Sequence, residues 1–174
     1  SRYSGVAGAE SQRMECELTS PTVREQLMSG TLAYLSSGTA SDTSVRALAA
    51  ASGRSTMCVY SKFGSRSALL TAVFDDAAEQ CLAALEPSGD QESMMDRYSQ
   101  WAADHPGLYQ MLFEHDLASL GVETSHRTTL IEQVLAQFSL HTKCGSPADA
   151  QRLWSTTHGA IVLARHTENL TTRQ

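Results

Sequence analysis

Apolar residues recur along most of this chain at steps of three and four, the spacing of one helix face, and no convincing strand pattern interrupts them. Pro21 suits a first helical position, where its missing N–H costs nothing, with Thr19 or Ser20 as the cap. That helix is predicted to run to about Ser37 and to stop at Gly38, a residue suited to a left-handed cap. Asp42-Thr43-Ser44 starts an alanine-rich second helix, VRALAAA over 45–51, which Ser52-Gly53 breaks. A short third helix follows at about 55–61 and ends near Phe63-Gly64. Ser65 then caps a long fourth helix, on which Leu69, Val73, Ala77 and Leu70, Phe74, Cys81, Leu85 share a face. Pro87-Ser88-Gly89 ends it.

The remainder reads as helical too. Met94, Tyr98, Trp101 and Ala102 stripe a helix at about 91–104, and Pro106 opens another bearing Leu108, Met111 and Leu112. Arg127, Leu130, Ile131, Val134, Leu135 and Phe138 mark a helix at about 122–141. Cys144-Gly145-Ser146-Pro147 is a turn, and Leu153, Thr157, Ala160, Ile161 and Ala164 mark a last helix at about 147–169. The expected fold is all-α with about eight helices. Residues 1–18, small and polar without clear periodicity, are predicted to be a flexible arm.

Composition narrows the function. No stretch approaches the roughly 18–20 apolar residues of a membrane helix, and no basic-then-apolar leader opens the chain. A cytoplasmic protein that contacts no membrane is expected. Cys16, Cys58, Cys81 and Cys144 are scattered without a metal-type or paired spacing, so free thiols are expected. The net charge of −6 argues against nucleic acid until its distribution is read. Residues 1–70 carry seven bases and five acids, whereas residues 71–174 carry six and fourteen. Within 43–66, Arg46, Arg54, Lys62 and Arg66 stand with no acid at all. A local basic face, not the chain total, is what meets phosphate.

Residues 43–63 meet the needs of a helix-turn-helix, in which a supporting helix, a tight turn and a second helix set the second into a major groove. Ala47, Ala49, Ala50 and Ala51 keep the supporting helix slim, while Val45 and Leu48 supply apolar contact. Gly53 lies where the chain must turn without a side chain in the way, and Ser55 can cap the second helix. Val59 and Phe63 fall on one face and can pack inward, leaving Ser55, Thr56, Tyr60 and Lys62 largely outward. Such residues donate to phosphate oxygens or read base edges.

The run TSVRALAAASGRSTMCVYSKFGSRSALL, residues 43–70, resembles the DNA-binding head of the TetR family of repressors. Its threonine-led helix, A-x-x-S-G turn, tyrosine three before phenylalanine, and G-S-R-x-x-L-L all carry the resemblance, and the preceding helix with Tyr34 and Gly38 fits as well. The resemblance implies that Thr43 caps the second helix and touches phosphate, with Arg46, Tyr60 and Arg66 also on phosphate. It implies that Ser55, Thr56 and Met57 read bases. Arg54, Met57, Cys58 and Lys62 depart from the usual pattern. Arg54 either adds a DNA contact or covers surface, Met57 can press on a thymine methyl, Lys62 adds charge, and Cys58 reads as a small packed side chain.

HPGLYQMLF over 105–113 and WSTTHGAIVL over 154–163 resemble the WHG-type C-terminal domain of the same family. The resemblance implies three parts: an arm at 1–18, a helix-turn-helix domain at 19–64, and a ligand-binding and dimerisation domain at 65–174. It also implies a homodimer joined through the last two long helices, a palindromic double-stranded DNA operator, a small-molecule effector of unknown identity, and repression released by that effector. Met94, Tyr98, Trp101, Tyr109, Met111, Phe113, Phe138 and Trp154 are candidate pocket residues, with His126 and His158 as candidate orienting groups. No cofactor, metal site or enzyme motif is expected, since His158 and His166 lack an evident third ligand. The alternative reading is a helical ligand- or partner-binding protein that regulates no DNA.

Overall fold

A computed structural model of the chain describes residues 21–86, 91–141 and 145–171. The predicted arm, the Thr19–Ser20 cap, the stop at 87–89, and Cys16 and Cys144 lie outside the described residues. The described residues form nine helices and no strand: α1 Val23–Ser36, α2 Val45–Ala51, α3 Thr56–Phe63, α4 Arg66–Ala84, α5 Gln91–Asp104, α6 Pro106–Phe113, α7 Leu117–Leu120, α8 Thr124–His141 and α9 Pro147–Thr171. The architecture is all-α, as expected.

Helix starts follow from which side chain can reach a free N–H. Thr22, not Thr19 or Ser20, caps α1. Its hydroxyl accepts from the Glu25 N–H at 3.2 Å, and the Glu25 carboxylate accepts from the Thr22 N–H at 2.6 Å. A cap at Ser20 would have put Val23 at the third helical position, where nothing could reach back; Pro21 therefore precedes the helix rather than opening it. Pro106 does open α6. Ser65 caps α4 as expected, accepting from the Ala68 N–H at 3.0 Å. Gly38 takes the predicted left-handed conformation (φ 72°) just beyond α1.

Helix α7 was absent from the expected set. Four residues are too few to show a period, yet Asp116 caps them and Gly121 ends them with φ 72°. The next helix accordingly starts at Thr124 rather than 122.

α4 is the beam shared by both halves. It packs against α1 and α3 on one side and against α5, α6 and α8 on the other. Its predicted stripe is the core: Leu69, Leu70, Val73, Phe74, Ala77 and Cys81 are all buried. Burial pushes the Cys81 thiol up to about 12, which makes it a poor nucleophile. Two glycines set helix approach. A Cβ on Gly30 would stand 2.6 Å from Ser52 Cα, at the crossing of α1 and α2. A Cβ on Gly107 would overlap the Leu35 carbonyl oxygen and stand 2.6 Å from the Gly38 nitrogen, so the start of α6 presses directly on the end of α1.

Candidate nucleic-acid interface

α2 and α3 form the two successive helices of residues 43–63, joined by a turn through Gly53 (φ 64°). α1 packs against both. The supporting helix is held from within. Leu48 and Ala49 are buried, and the Ser52 hydroxyl donates to the Leu48 carbonyl at 2.9 Å. Ser44, not Thr43, caps α2, accepting from the Ala47 N–H at 3.2 Å. Thr43 is taken up elsewhere: its hydroxyl accepts from Arg66 Nη2 at 2.7 Å. Ser44 also donates its N–H to the Asp42 carboxylate, and this holds that carboxyl below its ordinary range.

α3 turns an apolar side inward and leaves a mixed side out. Val59 is 0% exposed, whereas Met57 is 72% and Tyr60 51% exposed. Met57 and Tyr60 are three apart, so they share a face with Thr56 beside them. Ser55 occupies the cap position without making a cap hydrogen bond; its hydroxyl lies 3.5 Å from Cys58 Sγ. That contact, foremost, lowers the pKa of the half-buried Cys58 thiol.

The basic side chains fall into two groups. The Arg46 and Lys62 side chains are exposed and make no hydrogen bond among the described residues. Arg54, Arg66 and the unpredicted Arg24 are engaged. Arg54 donates to the Gln26 side chain. Arg24 lies 4.1 Å over the Phe63 ring and donates to the Lys62 carbonyl at 3.0 Å, which pins the end of α3 to α1. Arg66 is half-buried and donates to the Thr43 carbonyl and hydroxyl, and at 3.5 Å to the carbonyls of Ser119 and Leu120. It bridges the start of α2 to α7. Nothing local in the sequence signals this, because the acceptors lie 23 to 54 residues away.

The ten predicted pocket residues mostly fill the core. Met94, Tyr98, Tyr109, Met111 and Phe138 are buried, while Trp101, Phe113, His126, Trp154 and His158 are half-buried. Tyr98 meets Phe138 edge-on at 6.0 Å between ring centres, and Phe113 lies 5.7 Å from Trp154. Of the ten, only Met111 and His126 line one of the three cavities described here. A polar chain crosses this apolar region. Trp154 Nε1–H donates to the Tyr98 hydroxyl at 3.1 Å, that hydroxyl lies 3.4 Å from the Tyr109 hydroxyl, and Tyr109 lies 2.6 Å from His158 Nδ1. Burial raises both tyrosine pKa values and lowers that of His158. A neutral His158 accepting from Tyr109 lets every donor in the chain point one way. His126 lies apart, 2.7 Å from the Asp75 carboxylate on α4.

Among the described residues no cluster of His, Cys, Asp or Glu could hold a metal ion. Nor is any helix there long and apolar enough to cross a membrane.

Residues 92–171 match the family model described as the tetracyclin repressor-like C-terminal domain. The chain is similar to a solved structure from Streptomyces coelicolor A3(2), described as a candidate transcriptional regulator. The two are 24% identical over 82% of this chain and 72% of that one, with a TM-score of 0.47. No curated protein matches the chain.

Proposed function

We propose that this chain, whose residues 92–171 match the tetracyclin repressor-like C-terminal domain, is a TetR-family transcription regulator: a cytoplasmic, homodimeric repressor that binds a palindromic DNA operator through α3 and is released by a small molecule. Residues 19–64 are the DNA-binding head in this reading, and residues 65–174 are the effector and dimer domain. The observation that carries it is the α3 surface. Buried Val59 anchors the helix, while Met57 and Tyr60 stand out to solvent, Arg46 and Lys62 are exposed as well, and no acid lies between 43 and 66. An exposed thioether and phenol on an acid-free helix end leave groups free to meet a duplex. Against a duplex they become contacts to a thymine methyl and a phosphate.

Dimerisation through α8 and α9 is supported by the faces they leave uncovered. Leu140 is 72% and Leu163 68% exposed, and the small Ala136 and Ala160 are exposed nearby in the chain. Two such faces joined about a two-fold axis would bury these leucines and carry two heads, as successive major grooves require.

Mobility shift with fragments of the source genome tests the reading. A selected fragment should bind, and Tyr60→Ala should weaken binding about tenfold, since two lost hydrogen bonds per dimer are worth about 1 kcal/mol each or slightly less. Failure to retain any fragment favours a helical binding protein without DNA regulation.

A further inference from the structure

We propose that the crease between the α1–α2 loop and helices α6–α7 is the effector site, and that it takes a small uncharged molecule bearing an amide, carbonyl or hydroxyl group on one ring or a short chain. The proposal rests on the regulatory reading above and assigns its sensing step to a place outside the aromatic core.

The crease has a volume of about 280 Å³. Leu35, Met111 and Leu120, all buried, form its apolar wall, and Ala40 faces them from the loop side. Among its lining residues there is no aspartate, glutamate, lysine or arginine, which disfavours a charged ligand. Three polar side chains remain unused there. The Ser41 hydroxyl, the Gln110 carboxamide and the His115 imidazole have no side-chain hydrogen-bond partner among the described residues. An amide can both accept from and donate to such groups, and a carbonyl can accept from them. A cavity of about 150 Å³ accepts benzene, so this one has room for a substituted ring.

Its walls belong to the two halves of the molecule. Thr43, Ser119 and Leu120 all line the crease, and Arg66 bonds all three. The tight Gly107–Gly38 contact borders it as well. A ligand that fits a widened crease better than a narrow one parts Thr43 from Leu120 and strains the Arg66 bridge. The start of α2 then shifts, and the recognition helix with it. The size of the shift in population follows the difference in affinity for the two states. The neighbouring cleft of about 790 Å³ shares Gly38 and Gln110 but carries Asp96, Arg165 and His166, a lining suited to charged molecules. The groove of about 420 Å³ between α4 and α8, lined by Asp75 and Glu79, touches no residue before α4.

The test uses the whole ¹⁵N-labelled chain without DNA, titrated with benzamide and with toluene. Saturable shifts from benzamide are expected at the amides of Gly38, Gly107 and Leu120 and at the Gln110 side chain. Ala40→Phe, which fills the crease from the loop, should weaken benzamide about tenfold or more. Gln110→Leu should weaken benzamide and leave toluene unchanged. Shifts confined to the Asp96–Arg165 cleft or the α4–α8 groove, no saturation, or wild-type benzamide affinity in a folded Gln110→Leu chain would each overturn the proposal. Because no DNA is present, such a failure leaves the DNA-binding reading to be judged by mobility shift alone.

Discussion

Arg66 Nη2 stands 2.7 Å from Thr43 Oγ1, so the first residue of α4 holds the residue just before the cap of α2. The same guanidinium reaches the carbonyls of Ser119 and Leu120. Four of its hydrogen bonds thus stay inside the chain. Arg66→Ala is expected to lower stability by about 1.5–3 kcal/mol, the range for charged hydrogen bonds, read by urea unfolding. Arg66→Lys should recover little of it, because an ammonium cannot fork between three residues. The same variant separates two roles on DNA. Loss of a phosphate contact in each head reduces the log–log salt slope by about 1.8, whereas loss of the bridge weakens binding with the slope unchanged. The internal bonds favour the second result.

Gly107 leaves no room for a side chain against Leu35. Gly107→Ala is expected to force α6 away from α1 at a cost of about 1–3 kcal/mol or more, the range for overpacked contacts, despite alanine's better helix propensity. Thermal unfolding measures it. A neutral or stabilised variant would show that α1 and α6 do not meet this closely here.

The Tyr109 hydroxyl connects Tyr98 to His158 across the apolar core. Tyr109→Phe should cost about 1–3 kcal/mol, because it strands polar groups that burial has cut off from water. Tyr98→Phe should cost a similar amount by freeing the Trp154 N–H. The double variant should cost less than the two together, as expected for residues in one network. Strict additivity in urea unfolding would contradict the chain of hydrogen bonds.

Acid should weaken the same network. The pKa of His158 is lowered from 6.5, chiefly by burial. The unfolded chain therefore binds a proton at a higher pH than the folded one. The stability contributed by neutral His158 is complete above pH 6.5 and is lost as pH falls from there through the lowered folded value. The slope stays below the about 1.4 kcal/mol per pH unit of a full proton, since the half-exposed ring is partly screened by solvent. Melting temperatures between pH 7.5 and pH 5, compared with those of His158→Gln, read the difference. The variant should flatten the decline.

The repeating apolar steps made most helices legible, because a stripe such as Leu69, Val73 and Ala77 has one side to bury. Pro106, Ser65 and Gly38 signalled ends through backbone chemistry that is local. Where two neighbours competed for one cap, as with Thr43 and Ser44, the choice turned on Arg66, which local sequence cannot show. α7 is too short to carry a period. The aromatic residues of the body were visible as apolar positions. Whether their rings close on one another or surround a space is decided by packing between α5, α6, α8 and α9, and the rings of Tyr98, Tyr109 and Phe138 close. On the outer side of α3, exposed Tyr60 and Met57 were legible from its period. The anchoring of Arg24 on Phe63 was not, since it joins residues that are far apart in the chain.

The salt dependence of binding to a selected operator fragment tests the central claim most directly. Two heads neutralising about four phosphates each should give a log–log slope near −7, with Lys62→Ala making it shallower by about 1.8. A slope near zero on the preferred fragment would contradict a duplex seated against α3.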